Sequence, residues 1–197
     1  MTHPDAVYSG TQKCISGPPG LSPVTFGPAA VKALEQRKTP VVSWYLDLSM
    51  VRDYWGTERK YHHTAPINMH YGLYQALQLI LEEGPDNVYQ RHLHYHHELV
   101  KGLEALGLSI LVAPASRLPM LNSVRVPDGV DEAAVRSALL KEHKIEIGAG
   151  LGPLAGKIWR IGLMGASATP RHVELCLEAL REALSDRGPV AKNVNKS

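Results

Sequence analysis

A change of hydrophobic period at Gly107 limits most strongly what this chain can fold into. Before it, apolar side chains recur every three or four positions: Met69, Leu73, Leu77 and Ile80 form one stripe, and Val88, His92, Tyr95, Leu99, Leu103 and Leu106 a second. Stripes of this kind predict two long amphipathic helices. Gly84-Pro85 parts them, and Gly107 suits the C-terminal cap of the second. Beyond Gly107 the apolar runs are short. Residues 108–112, 123–127, 145–147 and 158–163 read as strands. Residues 131–143 read as a helix that Asp128 or Asp131 can cap. Thr169-Pro170 starts another, with Val173, Cys176, Leu180 and Leu184 as its stripe. The order strand, strand, helix, strand, strand, helix predicts an α+β unit with its helices on one face of a sheet.

Ahead of the long helices, residues 6–9 and 22–26 are short strand candidates, the second confined by Pro23 to an edge or a strand start. Residues 28–38 predict a helix between Pro28 in its first turn and Pro40 beyond its end. Leu48, Val51 and Trp55 have helical spacing within an aromatic stretch, residues 44–55, expected to be core or subunit interface. Residues 59–66 form a polar loop. The tail after Gly188 is polar and expected to be disordered.

Composition narrows the function. A net charge of +2, evenly spread, does not suit a nucleic-acid surface. No apolar run approaches the ~18 residues of a membrane span. Cys14 and Cys176 lie too far apart and are too few for a disulfide framework, so both are expected to be reduced thiols of an intracellular chain. Residues 1–20 lack a signal-peptide pattern, and the ending Asn195-Lys196-Ser197 lacks the leucine of a Ser-Lys-Leu peroxisomal address.

Chemistry concentrates at Tyr8-Ser9-Gly10-Thr11-Gln12-Lys13, which runs into Gly17-Pro18-Pro19-Gly20. A lysine on so tight a turn is held by backbone; if it is also desolvated, its ammonium is pushed toward the amine that attacks carbonyls. Arg160 stands among apolar residues on a strand, where a guanidinium needs a partner, and its natural partner is a carboxylate. His62-His63, and His92 with His96, lack a third ligand at metal spacing; the second pair reads as a solvated helix face. Gly148-Ala149-Gly150-Leu151-Gly152 precedes a strand rather than a helix and reads as a flexible loop, not a phosphate cradle.

The lysine segment and the Arg160-Ile161-Gly162 strand together resemble class V pyridoxal-phosphate aminotransferases, and within them the alanine–glyoxylate / serine–pyruvate branch. Gln12, where desulfurases of the class tend to have histidine, favours that branch. The resemblance implies an α/β fold, the later part of a fold-type I pyridoxal-phosphate-dependent transferase. Residues 1–107 would be the C-terminal part of the large domain with bridging helices, 108–188 the small α+β domain, and 189–197 a disordered tail. It implies Lys13 as the cofactor-binding and catalytic lysine, Gln12 (with Ser9 as a lesser candidate) at the phosphate, Tyr61 and Thr64 reaching the phosphate of a dimer partner's cofactor, and Arg160 on the substrate carboxylate. The implied reaction is amino transfer between alanine or serine and glyoxylate or pyruvate, in a homodimer with shared active sites, peroxisomal in such relatives. Family members also hold the cofactor ring by residues upstream of the lysine. Only twelve residues precede Lys13, and Asp5 is too near it to serve. The chain alone is therefore expected to be inactive or nearly so, with a non-catalytic form or dimerisation module as the alternative.

Overall fold

The computed structural model describes residues 3–187. Along the chain come strands β1 (Ala6–Tyr8) and β2 (Val24–Phe26), and helices α1 (Pro28–Glu35), α2 (Leu48–Trp55), α3 (Ile67–Glu83) and α4 (Pro85–Ala105). Strand β3 (Leu121–Arg125), helix α5 (Glu132–His143), strands β4 (Gly148–Ala149) and β5 (Ile158–Gly162) and helix α6 (Pro170–Arg187) follow. The chain packs as two units, Met1–Gln78 and Leu79–Ser197. The division by packing thus falls within α3, not near Gly107: α4 packs on α6 and belongs with the later residues.

Gly107 ends α4 as its position requires. Its φ of 77° is open to glycine, and Leu108 and Gly107 donate their N–H groups to Leu103 and Glu104 in a Schellman turn. Asp131 caps α5 by accepting from the Ala134 N–H. Thr169 Oγ1 accepts from the His172 N–H at the start of α6.

The second unit holds the core. Leu99, Leu103, Val135, Leu139, Trp159, Ile161, Val173 and Leu180 are among its buried side chains, contributed by α4, α5, α6 and β5. The antiparallel sheet has the order β3-β5-β4. Asn122 pairs with Ile161 and Val124 with Trp159, and all four are buried. Trp159 is fully buried, with its indole N–H donating to the Glu132 carbonyl. By strand alternation Ser123 and Arg160 point to the opposite face, where Gly148 lies across from Arg160.

Three sequence expectations shift here. Residues 108–112 make a single bridge, Ile110 to Val124, rather than a full strand. Residues 145–147 are not a strand; pairing with β5 passes to Gly148 and Ala149, and Gly148, lacking a side chain, leaves room for the Arg160 guanidinium opposite it. The first short helix stops at Glu35, before Pro40 can end it. The tail expected at 189–197 lies outside the described residues.

The first unit is built differently. Its described buried side chains are Thr11, His62 and Ala76, so it has no apolar core of its own. β1 and β2 form an antiparallel ribbon that is exposed throughout. The aromatic stretch is not core: Trp44, Tyr45 and Trp55 are all exposed. In α3 the buried position is Ala76, while Leu77 is exposed.

Candidate active site

Lys13 sits on a turn held by the residue two before it. Thr11 is fully buried; its Oγ1 donates to the Pro18 carbonyl at 2.5 Å, and its own carbonyl accepts from the Gly17 N–H at 2.9 Å. The Thr11 N–H reaches the Leu21 carbonyl and the Ser16 N–H that of Lys13, so both limbs of the turn are tied to one threonine. Pro18 also packs on α3: a Cβ at Gly72 would lie 2.6 Å from Pro18 Cγ. The turn is rigid, as its sequence suggests, but it does not desolvate the lysine. Lys13 and Gln12 are both exposed. Thr11 was not singled out from the sequence, although a threonine beside Gly10, ahead of Gly-Pro-Pro-Gly, is a turn-building residue.

Tyr61 and Thr64 come together. Their hydroxyl oxygens are 3.0 Å apart, and both side chains are exposed. Two adjacent hydroxyls facing outward from one loop make a donor pair suited to an anionic oxygen cluster. Between them His62 is buried. Its Nδ1 lies 2.7 Å from His63 Nδ1, a hydrogen-bond separation. Two nitrogens each ~2.0–2.1 Å from a tetrahedral zinc would stand farther apart.

Arg160 belongs to the second unit and is half-buried on the central strand, not on an edge. Its Nε donates to the Ala149 carbonyl at 2.6 Å. The guanidinium lies against Gly148, where a Cβ would come within 3.2 Å of Nη2. No carboxylate pairs with Arg160 among the described residues. The cation is therefore oriented by backbone and left open to an anionic ligand. The glycine segment that orients it is tight rather than flexible: a Cβ at Gly150 would fall 1.9 Å from the Leu154 carbonyl oxygen.

His92 and His96, expected on a solvated face, are buried. The His92 Nδ1–H donates to the Val88 carbonyl, and Nε2 accepts from the Gly165 N–H at 2.8 Å. Beside it Arg91 donates to the Gly165 and Ala168 carbonyls. Arg91 also pairs bidentately with Glu83, whose carboxyl it holds below the usual carboxylate range. Consecutive residues of α4 thus clamp the turn that follows the Arg160 strand. His96 Nδ1 lies 2.8 Å from Asn122 Oδ1; burial pushes its ring below the ordinary histidine range, against that hydrogen bond. Helical spacing put His92 in the apolar stripe but not His96, and their partners, 73 and 26 residues away, have no signature in the sequence.

The layout of a strand-fed lysine turn, long helices and a small α+β unit is that of fold-type I pyridoxal-phosphate-dependent enzymes. Solved structures share it: alanine–glyoxylate aminotransferase from Nostoc sp. superposes with a TM-score of 0.89 at 48% identity, over 91% of this chain and 48% of that one. The model of the family aminotransferase class V matches residues 2–161, and the chain belongs to that family. Among curated relatives, the alanine–glyoxylate aminotransferase of Callithrix jacchus is 44% identical, over 91% of this chain and 44% of its own length. The (S)-ureidoglycine–glyoxylate transaminase of Bacillus subtilis is 37% identical, over 91% and 48%. The chain spans about half the length of these relatives.

Proposed function

We propose that the chain contributes the lysine and the substrate-carboxylate arginine to a pyridoxal-phosphate-dependent amino transfer between alanine or serine and glyoxylate or pyruvate. The observation that carries this reading is Arg160: a half-buried guanidinium, aligned by the Ala149 carbonyl and the bare backbone of Gly148, with no carboxylate partner among the described residues. α-Amino and α-keto acids share the carboxylate that such a fork binds through two parallel hydrogen bonds. Glyoxylate as acceptor is favoured because it appears in the names of both curated relatives.

The residues present fit the cofactor at two ends. Lys13 offers an exposed amine on a rigid turn, and Tyr61 with Thr64 offers paired hydroxyl donors of the kind a phosphate dianion takes. When bound, pyridoxal phosphate supplies the ring that accepts the electrons released as the substrate Cα loses its proton. Lys13 Nζ would anchor the cofactor and, once displaced by the amino substrate, would take and return the proton at the substrate Cα. Gln12 and the Tyr61–Thr64 pair hold the phosphate, the latter across a dimer interface, and Arg160 fixes the substrate carboxylate.

The proposed homodimer answers a physical need of the first unit. That unit exposes Val7, Tyr8, Val24 and Phe26, and its open groove of about 1040 Å³ is lined by Leu34, Leu48, Val51 and Trp55 among others. Such surface is costly in water unless covered. The chain spans about half the length of its curated relatives, and we assign turnover to an assembly that holds the complete cofactor site. An intracellular compartment, peroxisomal by family likeness, completes the reading. No helix among the described residues is long and apolar enough to cross a membrane.

The test is production of pyruvate and glycine from alanine and glyoxylate by the full-length protein and its Arg160→Lys variant. Lysine keeps the charge and loses the fork, so KM for both acids should rise about tenfold or more with a smaller change in kcat. Unchanged KM values would remove Arg160 from the substrate site.

A further inference from the structure

The Tyr61–Thr64 pair raises a question of position. Residues 60–66 carry no helix or strand, yet two hydroxyls must be held side by side to act as one grip. The loop begins at a left-handed residue, Arg59, with φ 47°, and the Lys60 N–H reaches the Asp53 carbonyl at 3.3 Å. The firmest hold is on the residue between the hydroxyls. His62 is 3% exposed, against 70% for Tyr61 beside it. Its ring stacks on Trp44, centroids 4.2 Å apart and planes 26° from parallel.

The hydrogen bonds of that ring fix its role. Nε2 lies 3.1 Å from the Trp44 carbonyl, which can only accept, so Nε2 carries a hydrogen. In the neutral ring Nδ1 is then an acceptor, and it takes the Nδ1–H of His63 at 2.7 Å. Trp44 opens a 3-10 turn, and its carbonyl also accepts from Asp47, the residue that caps α2. From α2, Tyr54 meets the Tyr61 ring edge-on at 6.0 Å and the His63 ring at 5.6 Å. The loop is thus pinned by one buried ring to the start of α2 and supported along that helix by a tyrosine. Along an irregular, extended segment, burying the middle side chain turns its neighbour Tyr61 outward.

We infer that His62 is the positioning residue of the phosphate grip: it anchors the loop through the Trp44 carbonyl and His63, and so holds the Tyr61 and Thr64 hydroxyls in register for a phosphate monoester. This rests on the reading of Tyr61 and Thr64 as phosphate ligands. His62 itself touches no ligand. Its contribution is selective: it strengthens binding of the phosphorylated cofactor and is indifferent to the ring.

The experiment compares wild type, His62→Phe, His62→Gln and Tyr61→Phe as full-length protein. Phenylalanine keeps the stack on Trp44 and loses both ring nitrogens; glutamine keeps an amide that can donate to the Trp44 carbonyl. Two quantities are read: amide hydrogen exchange of residues 61–64, and dissociation constants for pyridoxal phosphate and for unphosphorylated pyridoxal. In His62→Phe the segment should exchange about tenfold faster and pyridoxal phosphate should bind about tenfold more weakly, the scale of one hydrogen bond to a charged group. Pyridoxal affinity should stay unchanged, and His62→Gln should recover part of both losses. Tyr61→Phe should weaken pyridoxal phosphate binding without faster exchange. Unchanged exchange in His62→Phe, or an equal loss for pyridoxal and its phosphate, overturns the positioning role. A Tyr61→Phe protein that binds pyridoxal phosphate as tightly as wild type, or a wild type that binds none, overturns the phosphate reading beneath it.

Discussion

Replacing Gly150 by alanine separates steric from conformational reasons for a glycine. The added Cβ would stand 1.9 Å from the Leu154 carbonyl oxygen, 2.6 Å from its carbon and 2.9 Å from Ile158 Cγ1. Two of these are backbone atoms that no rotamer change can move aside. The Gly150 N–H is itself bound to the Ile158 carbonyl, so the strand cannot retreat without breaking a ladder bond. Gly152 next along has the opposite problem: its φ is 53°, yet a Cβ there meets nothing within 4 Å. Its replacement by alanine should cost about 1 kcal/mol, the usual penalty for a left-handed alanine. Gly150→Ala should cost about 3 kcal/mol through overpacking against backbone. For a unit of this size that lowers the melting temperature by about 10 °C or more. Function should follow, because the residue displaced first is Ala149, whose carbonyl orients the Arg160 guanidinium. Paired melts by circular dichroism, with KM for the acid substrates, check both effects. A Gly150→Ala protein as stable as Gly152→Ala would refute the packing of this segment.

Burial pushes the Cys176 thiol up from 9.0 to about 11. Its contribution to stability is full below pH 9 and is lost as pH rises toward 11, about 2–3 kcal/mol in all; Cys176→Ala should abolish that alkaline step in denaturant melts. Burial depresses His96 below its ordinary 6.5, so its contribution is full above pH 6.5 and is lost as pH falls toward the folded value. A His96→Phe variant should show a flatter acid limb, and an unchanged limb would contradict the assignment.

What the sequence revealed and what it hid follow from the range of the interactions. The stripes of α4 and α6 were readable because helical spacing records burial within one element: Leu99, Leu103, Val173 and Leu180 are all in the core. The cap at Gly107 was readable for the same local reason. The partners of His92 and His96 were hidden because a buried histidine and an exposed one look alike until Gly165 and Asn122 arrive from elsewhere. Tyr61 and Thr64, noted only by family likeness, lie side by side, while the ring that pins their loop carries no spacing signal. Lys13 was correctly placed on a rigid turn. The desolvation that would push its ammonium toward the amine is not met among the described residues, where Lys13 is exposed and the first unit has little core.

The central claim is that Lys13 takes the cofactor. Borohydride reduction of the full-length protein with pyridoxal phosphate, followed by peptide mapping, tests it most directly. The account predicts one reduced phosphopyridoxyl adduct on the peptide carrying Lys13, lost in Lys13→Ala. An adduct spread over surface lysines such as Lys32, Lys60 and Lys101, or one that persists in Lys13→Ala, would contradict it.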